Sequence, residues 1–457
     1  MKVAWFTPLA PASAIGHFSA IVTERLAESA DVDLWVAGDG PVRSTFVRVV
    51  RFSPDQPGLR ARLREYDVLV FNMGNHEPFH GAILDVARHE PGIVVLHDVF
   101  NHHLLAGYFG ARDGNVDRYV AKARSWYGDD GERFAGAFLR GEEHAHDYAR
   151  FPLFEPLVAR HVGAVTHSRC HAEAVTERCG VPAEAIFLAY RPPAGNVEPR
   201  EALGIPRDKP LMISVGFVNA NRRIDAVLRA LAGAGLRDRI TYRVLGPLAH
   251  VPYRRKLEAL IDELDLGRCV SLLGYTDDAT LAAHLVHADI CMNLRHPVTE
   301  SASASVIEQA LLAKVIVVTD TGFYAELPDD AVLKIPLNDE VPALQRVLLR
   351  LIDDPAARRE IGERAALWVR PRSGGDVYAA AFLRFARGLL TELRGARLRA
   401  HAASVFDAMG LGLDAALPWR IGASARELFG DSLAPAPRTP PDPAVQPPST
   451  PVNAAAM

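Results

Sequence analysis

Short apolar runs alternate along this chain with segments of helical periodicity, and no other feature constrains the fold as strongly. The runs cover residues 3–6, 32–36, 68–71 and 93–96, of which several are almost continuously apolar, and two further strands are predicted at residues 164–166 and 185–188. Such runs are typical of parallel strands that helices cover on both faces. The alternation therefore predicts a doubly wound α/β sheet in the first part of the chain.

A second series of strands and helices follows a proline-rich stretch at residues 191–195. Its strands are predicted at residues 211–215, 241–245, 270–273, 290–293 and 315–319. Proline and glycine interrupt regular structure, so the stretch between the two series is interpreted as a linker. We therefore expect two doubly wound domains that face each other across a cleft.

The predicted domains are residues 1–192 and residues 193–375, both Rossmann-like. Residues 376–431 have helical periodicity and are expected to pack across both domains. Residues 432–457 are rich in proline and alanine, offer little to bury, and are expected to be disordered.

The overall charge and cysteine content exclude several classes of protein. A net charge of −4 over 457 residues argues against a dedicated nucleic-acid binder. The four cysteines are scattered and favour reduced thiols over a disulfide framework or a zinc site. The apolar run at the amino terminus is too short for a signal peptide, and no stretch is long enough for a transmembrane segment. We expect a cytoplasmic protein, and peripheral contact with a lipid surface stays open.

Two glutamates, Glu300 and Glu308, follow the fourth predicted strand of the second series. The Ser/Ala run between them predicts the start of a helix, with Ser301 or Ser303 as its N-cap. Backbone amides at a helix start suit a diphosphate. A helix would hold the two carboxylates at most about 12 Å apart along its axis, so each would reach a different end of a ligand. On spacing alone, an ordinary capped helix with a solvent-facing glutamate is the more common arrangement.

Residues 288–328 resemble the donor-binding region of glycosyltransferase family 4, which carries a Glu-x7-Glu motif followed by a buried strand and a glycine turn. The resemblance extends over about residues 1–385 and is strongest at 211–370. It implies the GT-B fold, in which two Rossmann-like domains bind a nucleotide-sugar in the cleft between them.

The family's site residues can be transferred to matching positions of this sequence. By the resemblance, Glu300 contacts the donor sugar and Glu308 binds the ribose hydroxyls. The aromatic-glycine pair that usually follows the first glutamate is replaced here by small residues, and we expect the backbone of Ser303 and Ala304 to contact the donor. The nucleobase is expected at the backbone of Tyr275.

A second set of candidate donor-binding residues follows the first strand of the second series. Gly216 permits a tight turn, and Arg222 and Arg223 precede the next helix. A guanidinium donates parallel hydrogen bonds to phosphate oxygens and neutralises charge on a leaving group. Relative to the family, Phe217 replaces one cation and Arg222 takes the place of a lysine, so Arg223 or Arg295 is expected to compensate. Without this context, a solvated cationic helix start also explains the arginine pair.

The loop after the first strand of the chain contains Gly16, where backbone amides could reach a phosphate. The loop has no Gly-x-Gly-x-x-Gly spacing, which disfavours a dinucleotide-binding dehydrogenase. By the resemblance, Gly16 belongs to the donor and acceptor loop. An ordinary loop between a strand and a helix is the alternative.

The strand at residues 93–96 ends in His97 and Asp98, with His102 and His103 close behind. Imidazole and carboxylate groups are good metal ligands, but convergence of these four on one ion would need an unusual turn. The resemblance assigns His97 to the sugar and acceptor pocket and implies no bound metal. Buried histidines with satisfied hydrogen bonds are the alternative.

The sequence therefore predicts transfer of a sugar from a nucleotide-sugar to an acceptor hydroxyl, in polysaccharide or glycoconjugate biosynthesis. Glu300, His97 and Arg222 are the predicted catalytic residues, no cofactor is expected, and the acceptor could be a glycan, a lipid-linked molecule or a small molecule. The resemblance implies retention of configuration. Retaining glycosidases use carboxylates about 5 Å apart, closer than a helix would hold Glu300 and Glu308. A GT-B nucleotide-sugar epimerase and a non-catalytic GT-B-like binding protein are the alternatives.

Overall fold

The computed structural model describes residues 1–142, 144–192, 197–233, 235–248 and 250–408. The apolar runs of the first domain form one parallel sheet with the strand order β3-β2-β1-β4-β5-β6-β7. Alternate residues of the first strand enter different buried clusters, Trp5 on one face and Phe6 on the other, as expected for a doubly covered sheet. The strands are β1 (Lys2–Phe6), β2 (Asp31–Ala37), β3 (Arg48–Phe52), β4 (Val68–Met73), β5 (Ile93–Leu96), β6 (Gly163–Thr166) and β7 (Ala183–Ala185).

The helices of the first domain connect these strands and pack against the sheet. The first helix is capped by Ser13, whose hydroxyl accepts a hydrogen bond from the amide of Gly16 at 3.0 Å. The helices are α1 (Ala14–Leu26), α2 (Leu59–Leu63), α3 (Glu77–Ala87), α4 (His102–Gly107), α5 (Asp117–Arg140), α6 (Glu155–Val158) and α7 (Arg169–Cys179), with a π-helical turn at Tyr108–Arg112 and a 3-10 turn at Ala145–Asp147.

The second domain has a six-stranded parallel sheet with the order β10-β9-β8-β11-β12-β13. Its strands are β8 (Leu211–Val215), β9 (Thr241–Leu245), β10 (Val270–Gly274), β11 (Ile290–Asn293), β12 (Val315–Thr319) and β13 (Leu333–Ile335). Its helices are α8 (Ile224–Ala232), α9 (Val251–Glu263), α10 (Asp278–His287), α11 (Ala304–Leu311), α12 (Gly322–Ala325), α13 (Glu340–Asp353) and α14 (Pro355–Val369), with 3-10 turns at Ala220–Arg222 and Leu337–Asp339.

Two further helices, α15 (Gly375–Gly388) and α16 (Leu390–Ala408), follow the second domain. The first of them returns to the first domain and packs on α1. There the ring of Phe382 lies edge-on to Trp5 at 5.3 Å, and Tyr378 lies edge-on to Phe18 at 5.0 Å. Neither these helices nor any other helix within the described residues is long and apolar enough to cross a membrane.

The predicted architecture of two doubly wound parallel sheets is confirmed. The strand predicted at residues 185–188 is wrong in its position, because the strand is Ala183–Ala185. Two strands were not predicted: β3, whose two arginines interrupt the apolar pattern, and the short β13. Residues 193–195 of the predicted linker, residues 409–431 of the predicted helical segment and the proline-rich tail at 432–457 lie outside the described residues.

The strand order of each sheet reverses at its centre, between β1 and β4 in the first sheet and between β8 and β11 in the second. Ligands of doubly wound sheets bind outside the carboxyl ends of the strands at such reversals. The loops that follow these four strands, together with the loop after β5, therefore define the region in which a site is expected.

Candidate functional site

The loop after β11 places Glu300 where the two domains meet. Glu300 forms an isolated antiparallel bridge with Asp98, which follows β5 of the first domain. Within this bridge the amide of Ser301 donates a hydrogen bond to the carbonyl of His97 at 2.8 Å. The cleft between the domains is thus closed by direct backbone pairing at the predicted sugar-binding residue.

The predicted N-cap at Ser303 is confirmed, so Glu308 lies on the helix and Glu300 before it, and the two carboxylates are not separated by helix alone. The helix α11 begins at Ala304 and is capped by Ser303, whose hydroxyl accepts a hydrogen bond from the amide of Val306 at 3.4 Å. Glu300 lies before the cap in extended backbone, because this segment pairs with the first domain instead of continuing the helix. Glu308 lies on the second turn of α11.

The carboxylate of Glu300 is held by neighbouring side chains. Its Oε1 accepts hydrogen bonds from Arg295 Nε at 2.9 Å and from the hydroxyl of Tyr324 at 2.5 Å. Its Oε2 accepts from the hydroxyl of Thr299 at 3.1 Å. Burial alone would raise the pKa of Glu300, but Arg295, Tyr324 and the charge of Arg222 together lower this pKa to about 2. Glu300 is therefore a fixed anion at neutral pH.

The guanidinium groups of Arg222 and Arg295 both interact with the carboxylate of Glu300. Arg295 is 4% exposed and also donates to the carbonyl of Leu294 at 2.7 Å. Arg222 donates to the carbonyl of Val215, and among the described residues it forms no salt bridge. Burial and repulsion by Arg295 lower the pKa of Arg222 to about 9, so both groups are charged at neutral pH. The pair leaves one positive charge without a carboxylate partner.

Gly216, which has no side chain, leaves room for the guanidinium of Arg222. Its φ of +105° lies in the region that favours glycine, and a Cβ at this residue would occupy the space of the Arg222 guanidinium. A Cβ at Gly246, in the neighbouring loop, would meet the carbonyl of Gly216. The predicted role of Gly216 is thereby specified: it lets an arginine fold back under the end of β8.

Arg223 does not join Arg222 at the cleft. Its Nη2 forms a salt bridge of 2.5 Å with Glu340 at the start of α13, and the side chain of Glu340 is only 6% exposed. The structure thus places Arg295, and not Arg223, beside Arg222 as the second cation.

On the side of the first domain, His97 belongs to a buried chain of hydrogen bonds. Its Nε2 lies 3.0 Å from Oδ1 of Asn72, and its Nδ1 lies 3.1 Å from Nε2 of His167. The Nδ1 of His167 lies 3.0 Å from the carbonyl of Ile186. The side-chain amide of Asn72 donates to the carbonyl of Phe6 at 2.8 Å, which directs Oδ1 of Asn72 towards His97.

This chain of hydrogen bonds ends at an acceptor oxygen on each side, so every one of its contacts needs an N–H proton from one of the two imidazole rings. Its three contacts require three protons, whereas two neutral imidazoles carry only two N–H groups. Burial lowers the pKa of His97 well below its usual range and the pKa of His167 to about 4, so both rings are neutral at pH 7. One contact therefore has no proton, and the uptake of one proton by the pair would complete the chain.

The other polar residues after β5 have structural partners. The carboxylate of Asp98 accepts a hydrogen bond from the amide of Asn75 at 2.7 Å, while burial and the charge of Glu300 raise the pKa of Asp98 to about 7. His102 lies 2.5 Å from the hydroxyl of Tyr119. Among the described residues, no group of three or more His, Cys, Asp or Glu side chains is arranged to hold a metal ion.

Glu308 lies at the other end of the cleft, beside the segment that leaves the first domain. It is 8% exposed, and the hydroxyl of Tyr190 interacts with its carboxylate and lowers its pKa. Burial raises the pKa of Glu308 to about 7, with a smaller contribution from the charge of Asp278. The ring of His17 lies edge-on to Tyr190 at 5.3 Å. Tyr190 therefore covers the residue predicted to bind ribose.

Two other predicted donor contacts are positioned as follows. The amide of Gly16 is engaged by Ser13, and a Cβ at Gly16 would lie 2.5 Å from the carbonyl of Pro8. Gly16 thus serves close packing of its loop, and its amide is not directed at a ligand. Tyr275 follows β10, the outer strand of the second sheet, and is 78% exposed.

Ser301 and Glu326 join the two domains around this site. The hydroxyl of Ser301 does not cap α11 but accepts a hydrogen bond from the amide of His167 at 2.7 Å. The carboxylate of Glu326 accepts from the amides of Arg169 at 3.0 Å and Cys170 at 2.7 Å, at the amino terminus of α7. The interdomain contacts thus include a helix cap supplied by the opposite domain.

Sequence reasoning missed Asn72, Tyr324 and Glu326. A polar residue inside the otherwise apolar strand β4 could have indicated Asn72. Tyr324 and Glu326 follow the Gly322 turn, but no local pattern shows that one contacts Glu300 and the other contacts α7. Tyr190 was missed for the same reason.

Solved structures with a similar fold include a sucrose-phosphate synthase from Thermosynechococcus elongatus, at a TM-score of 0.58 and 16% identity, covering 85% of this chain and 99% of that one. HepE from Anabaena in complex with UDP and glucose has a TM-score of 0.58 at 15% identity, covering 85% and 100%. A glycosyltransferase from Rickettsia africae ESF-5 has a TM-score of 0.58 at 13% identity, covering 85% and 98%. The protein has the GT-B fold.

The family described as Glycosyl transferases group 1 matches residues 197–368 of the chain. The chain is also similar to a D-inositol 3-phosphate glycosyltransferase from Kineococcus radiotolerans, with 28% identity over 204 residues. That match covers 41% of this chain and 46% of the relative, so it spans less than half of the relative's length. The family 4 resemblance is compatible with both results.

Proposed function

We propose that the protein transfers a sugar from a nucleotide-sugar to an acceptor hydroxyl, with retention of configuration and without a bound metal. The observation that carries this proposal is the pair Arg222 and Arg295, which shares the single carboxylate of Glu300 at the carboxyl ends of β8 and β11. A diphosphate would supply the missing negative charge. The amides at the start of α11, next to Ser303 and Ala304, add hydrogen-bond donors for the same group.

Each residue has a defined role in this proposal. Arg222 binds the diphosphate and stabilises it as the leaving group. Glu300, held as an anion by Arg295 and Tyr324, contacts the donor sugar, and Glu308 accepts hydrogen bonds from the ribose in place of Tyr190. The paired backbone at Glu300 and Asp98 closes the cleft and limits access of water.

The neighbours suggest which substrates to test first. HepE has been crystallised with UDP-glucose, which supports a UDP-sugar as the first donor. The curated relative is named for D-inositol 3-phosphate, which supports that compound as the first acceptor. Because the match covers less than half of that relative, glycans and lipid-linked acceptors belong in the same panel.

The test incubates the full chain with UDP-, GDP- and ADP-sugars and the acceptor panel, with and without EDTA. We expect transfer from one donor class, resistance to EDTA, and a product whose anomeric configuration by NMR matches the donor. Glu300→Gln should abolish turnover, whereas the exposed control Glu360→Gln should not. A new sugar epimer formed from donor alone would indicate an epimerase. Stabilisation by a nucleoside diphosphate without turnover of any donor would indicate a binding protein.

A further inference from the structure

A second cationic site lies at the edge of the first sheet opposite to the candidate functional site. Its cavity has a volume of about 330 Å³ and lies between α2, α16 and the loops that precede β4 and β5. Asp67 directly precedes β4, and Glu90 lies shortly before β5. The cavity is thus at the amino ends of the strands, whereas the donor cleft is at their carboxyl ends.

Four arginines and two carboxylates line this cavity: Arg60, Arg64, Arg394, Arg397, Asp67 and Glu90. The ion pairs between them are long. Arg60 lies 3.9 Å from Glu90, and Arg394 lies 4.0 Å from Asp67. Asp67 is partly engaged elsewhere, because it also accepts a hydrogen bond from the amide of Lys2 at 2.8 Å. The lining therefore carries an excess of two positive charges.

Arg397, one of the four arginines that line the cavity, also has a structural role. Its guanidinium donates to the carbonyls of Leu63, the last residue of α2, and Tyr66, just after α2, and so holds α16 against the first domain. Burial lowers the pKa of Arg397, and the charge of Arg64 lowers it further. The charges of Glu90 and Asp67 raise this pKa, but they do not outweigh burial.

His401 adds a buried polar atom without a partner. In the part of the chain that the structure describes, the Nδ1 of this lining residue makes no hydrogen bond. A buried polar atom that is left unpaired costs free energy, so a ligand able to reach it gains an interaction.

We propose that this cavity binds a phosphate-bearing anion, either a soluble phosphate compound or the headgroup of an anionic lipid. Guanidinium groups match phosphate oxygens in geometry, and a doubly charged phosphate would balance the excess charge of the lining. A volume of about 330 Å³ lies within the range of small-molecule sites. This site is independent of glycosyl transfer, because it lies at the other edge of the sheet.

The variant that tests this proposal is Arg64→Ala/Arg394→Ala in the full chain. Both side chains are exposed, so the fold should be preserved, whereas Arg397 is left intact because it holds backbone carbonyls. Isothermal titration calorimetry with inorganic phosphate should show binding that weakens at least tenfold in this variant. The control Arg387→Ala removes an exposed arginine of α15 that does not line the cavity and should bind like the parent.

A second arm distinguishes the source of the phosphate. Vesicles of phosphatidylcholine with phosphatidic acid should co-sediment the parent but not the double variant if the ligand is a lipid headgroup. Binding of inorganic phosphate without vesicle binding would identify a soluble ligand.

Independently of any variant, the NMR signals of the His401 ring should shift when phosphate is added. The proposal is wrong if neither ligand binds the parent, or if the double variant binds as tightly as the parent. None of these measurements uses a sugar donor, so they are separate from the proposed activity.

Discussion

At the scale of single residues, the candidate site contains a charge that the folded protein does not neutralise. Arg222 is packed under Gly216 beside Arg295, and among the described residues the two arginines share one carboxylate, that of Glu300, which already accepts hydrogen bonds from Arg295 and Tyr324. Burying a charge without a partner costs free energy of folding. Such a cost is typical of sites where a ligand later supplies the opposite charge.

Replacing Arg222 should therefore separate stability from activity. In Arg222→Met we expect a Tm equal to or above that of the parent, because repulsion with Arg295 is removed. The kcat/KM for the donor should fall about ten- to hundredfold, since a hydrogen bond to a charged group is worth about 1.5–3 kcal/mol. Thermal unfolding and donor turnover, measured on the same preparation, check both expectations.

The neighbouring arginine provides the matched control. Arg223→Met breaks the ion pair with the buried Glu340 and should lower the free energy of unfolding by about 1–3 kcal/mol. Its kcat/KM should remain within about twofold of the parent, as expected for a site away from the transition state. If Arg223→Met lost activity while Arg222→Met kept it, the roles assigned here to the two arginines would be reversed.

At the scale of elements, α11 is the helix that connects the two ends of the proposed donor. Its start, capped by Ser303, offers amides for the diphosphate, and Glu308 lies one turn further along. A carboxylate accepts hydrogen bonds from hydroxyls more strongly when it is ionised. Because the pKa of Glu308 is raised to about 7, its charge changes within the neutral pH range.

Donor binding should consequently depend on pH. We expect the affinity for UDP-glucose, whose diphosphate does not titrate near neutrality, to increase as the pH rises through about 7, because Glu308 then becomes ionised. Glu308→Gln should remove this increase, whereas the ionisation of Asp98, whose pKa is also about 7, remains in the variant. Tyr190→Phe should move its midpoint to higher pH, because the hydroxyl of Tyr190 lowers the pKa of Glu308. Titration calorimetry between about pH 5.5 and 8.5 covers the transition, and an unchanged pH profile in Glu308→Gln would exclude this residue as its origin.

At the scale of the whole molecule, the sequence predicted what local periodicity encodes. The buried strands, both sheets and the loops that carry Glu300, Arg222 and His97 follow from alternation and turn residues. The contacts of Glu300 with Asp98 and of Glu308 with Tyr190 did not follow, because they depend on how two independently patterned domains dock. Docking leaves no periodic signal. The partner of Arg223, Glu340, lies in the same domain but 117 residues further along the chain, and local periodicity does not indicate contacts over such a separation either.

The docked state itself leads to the last prediction. Glu326 of the second domain caps α7 of the first, through hydrogen bonds to a charged acceptor that are each worth about 1.5–3 kcal/mol. Glu326→Gln removes the charge and should increase the population of an open form. We expect a larger radius of gyration by small-angle X-ray scattering and more hydrolysis of the donor relative to transfer, since water enters an open cleft.

The same contact should weaken in acid. Burial raises the pKa of Glu326, but the amides of Cys170 and Arg169 outweigh burial and lower it below the ordinary 4.5. The stabilisation is therefore complete above that ordinary value and is lost as the pH falls through the lowered pKa.

The exposed control for Glu326→Gln is Glu360→Gln, which loses a surface ion pair with Arg364 and should leave the scattering profile and the hydrolysis ratio of the parent unchanged. Identical profiles for the two variants would show that the Glu326 cap does not hold the domains together.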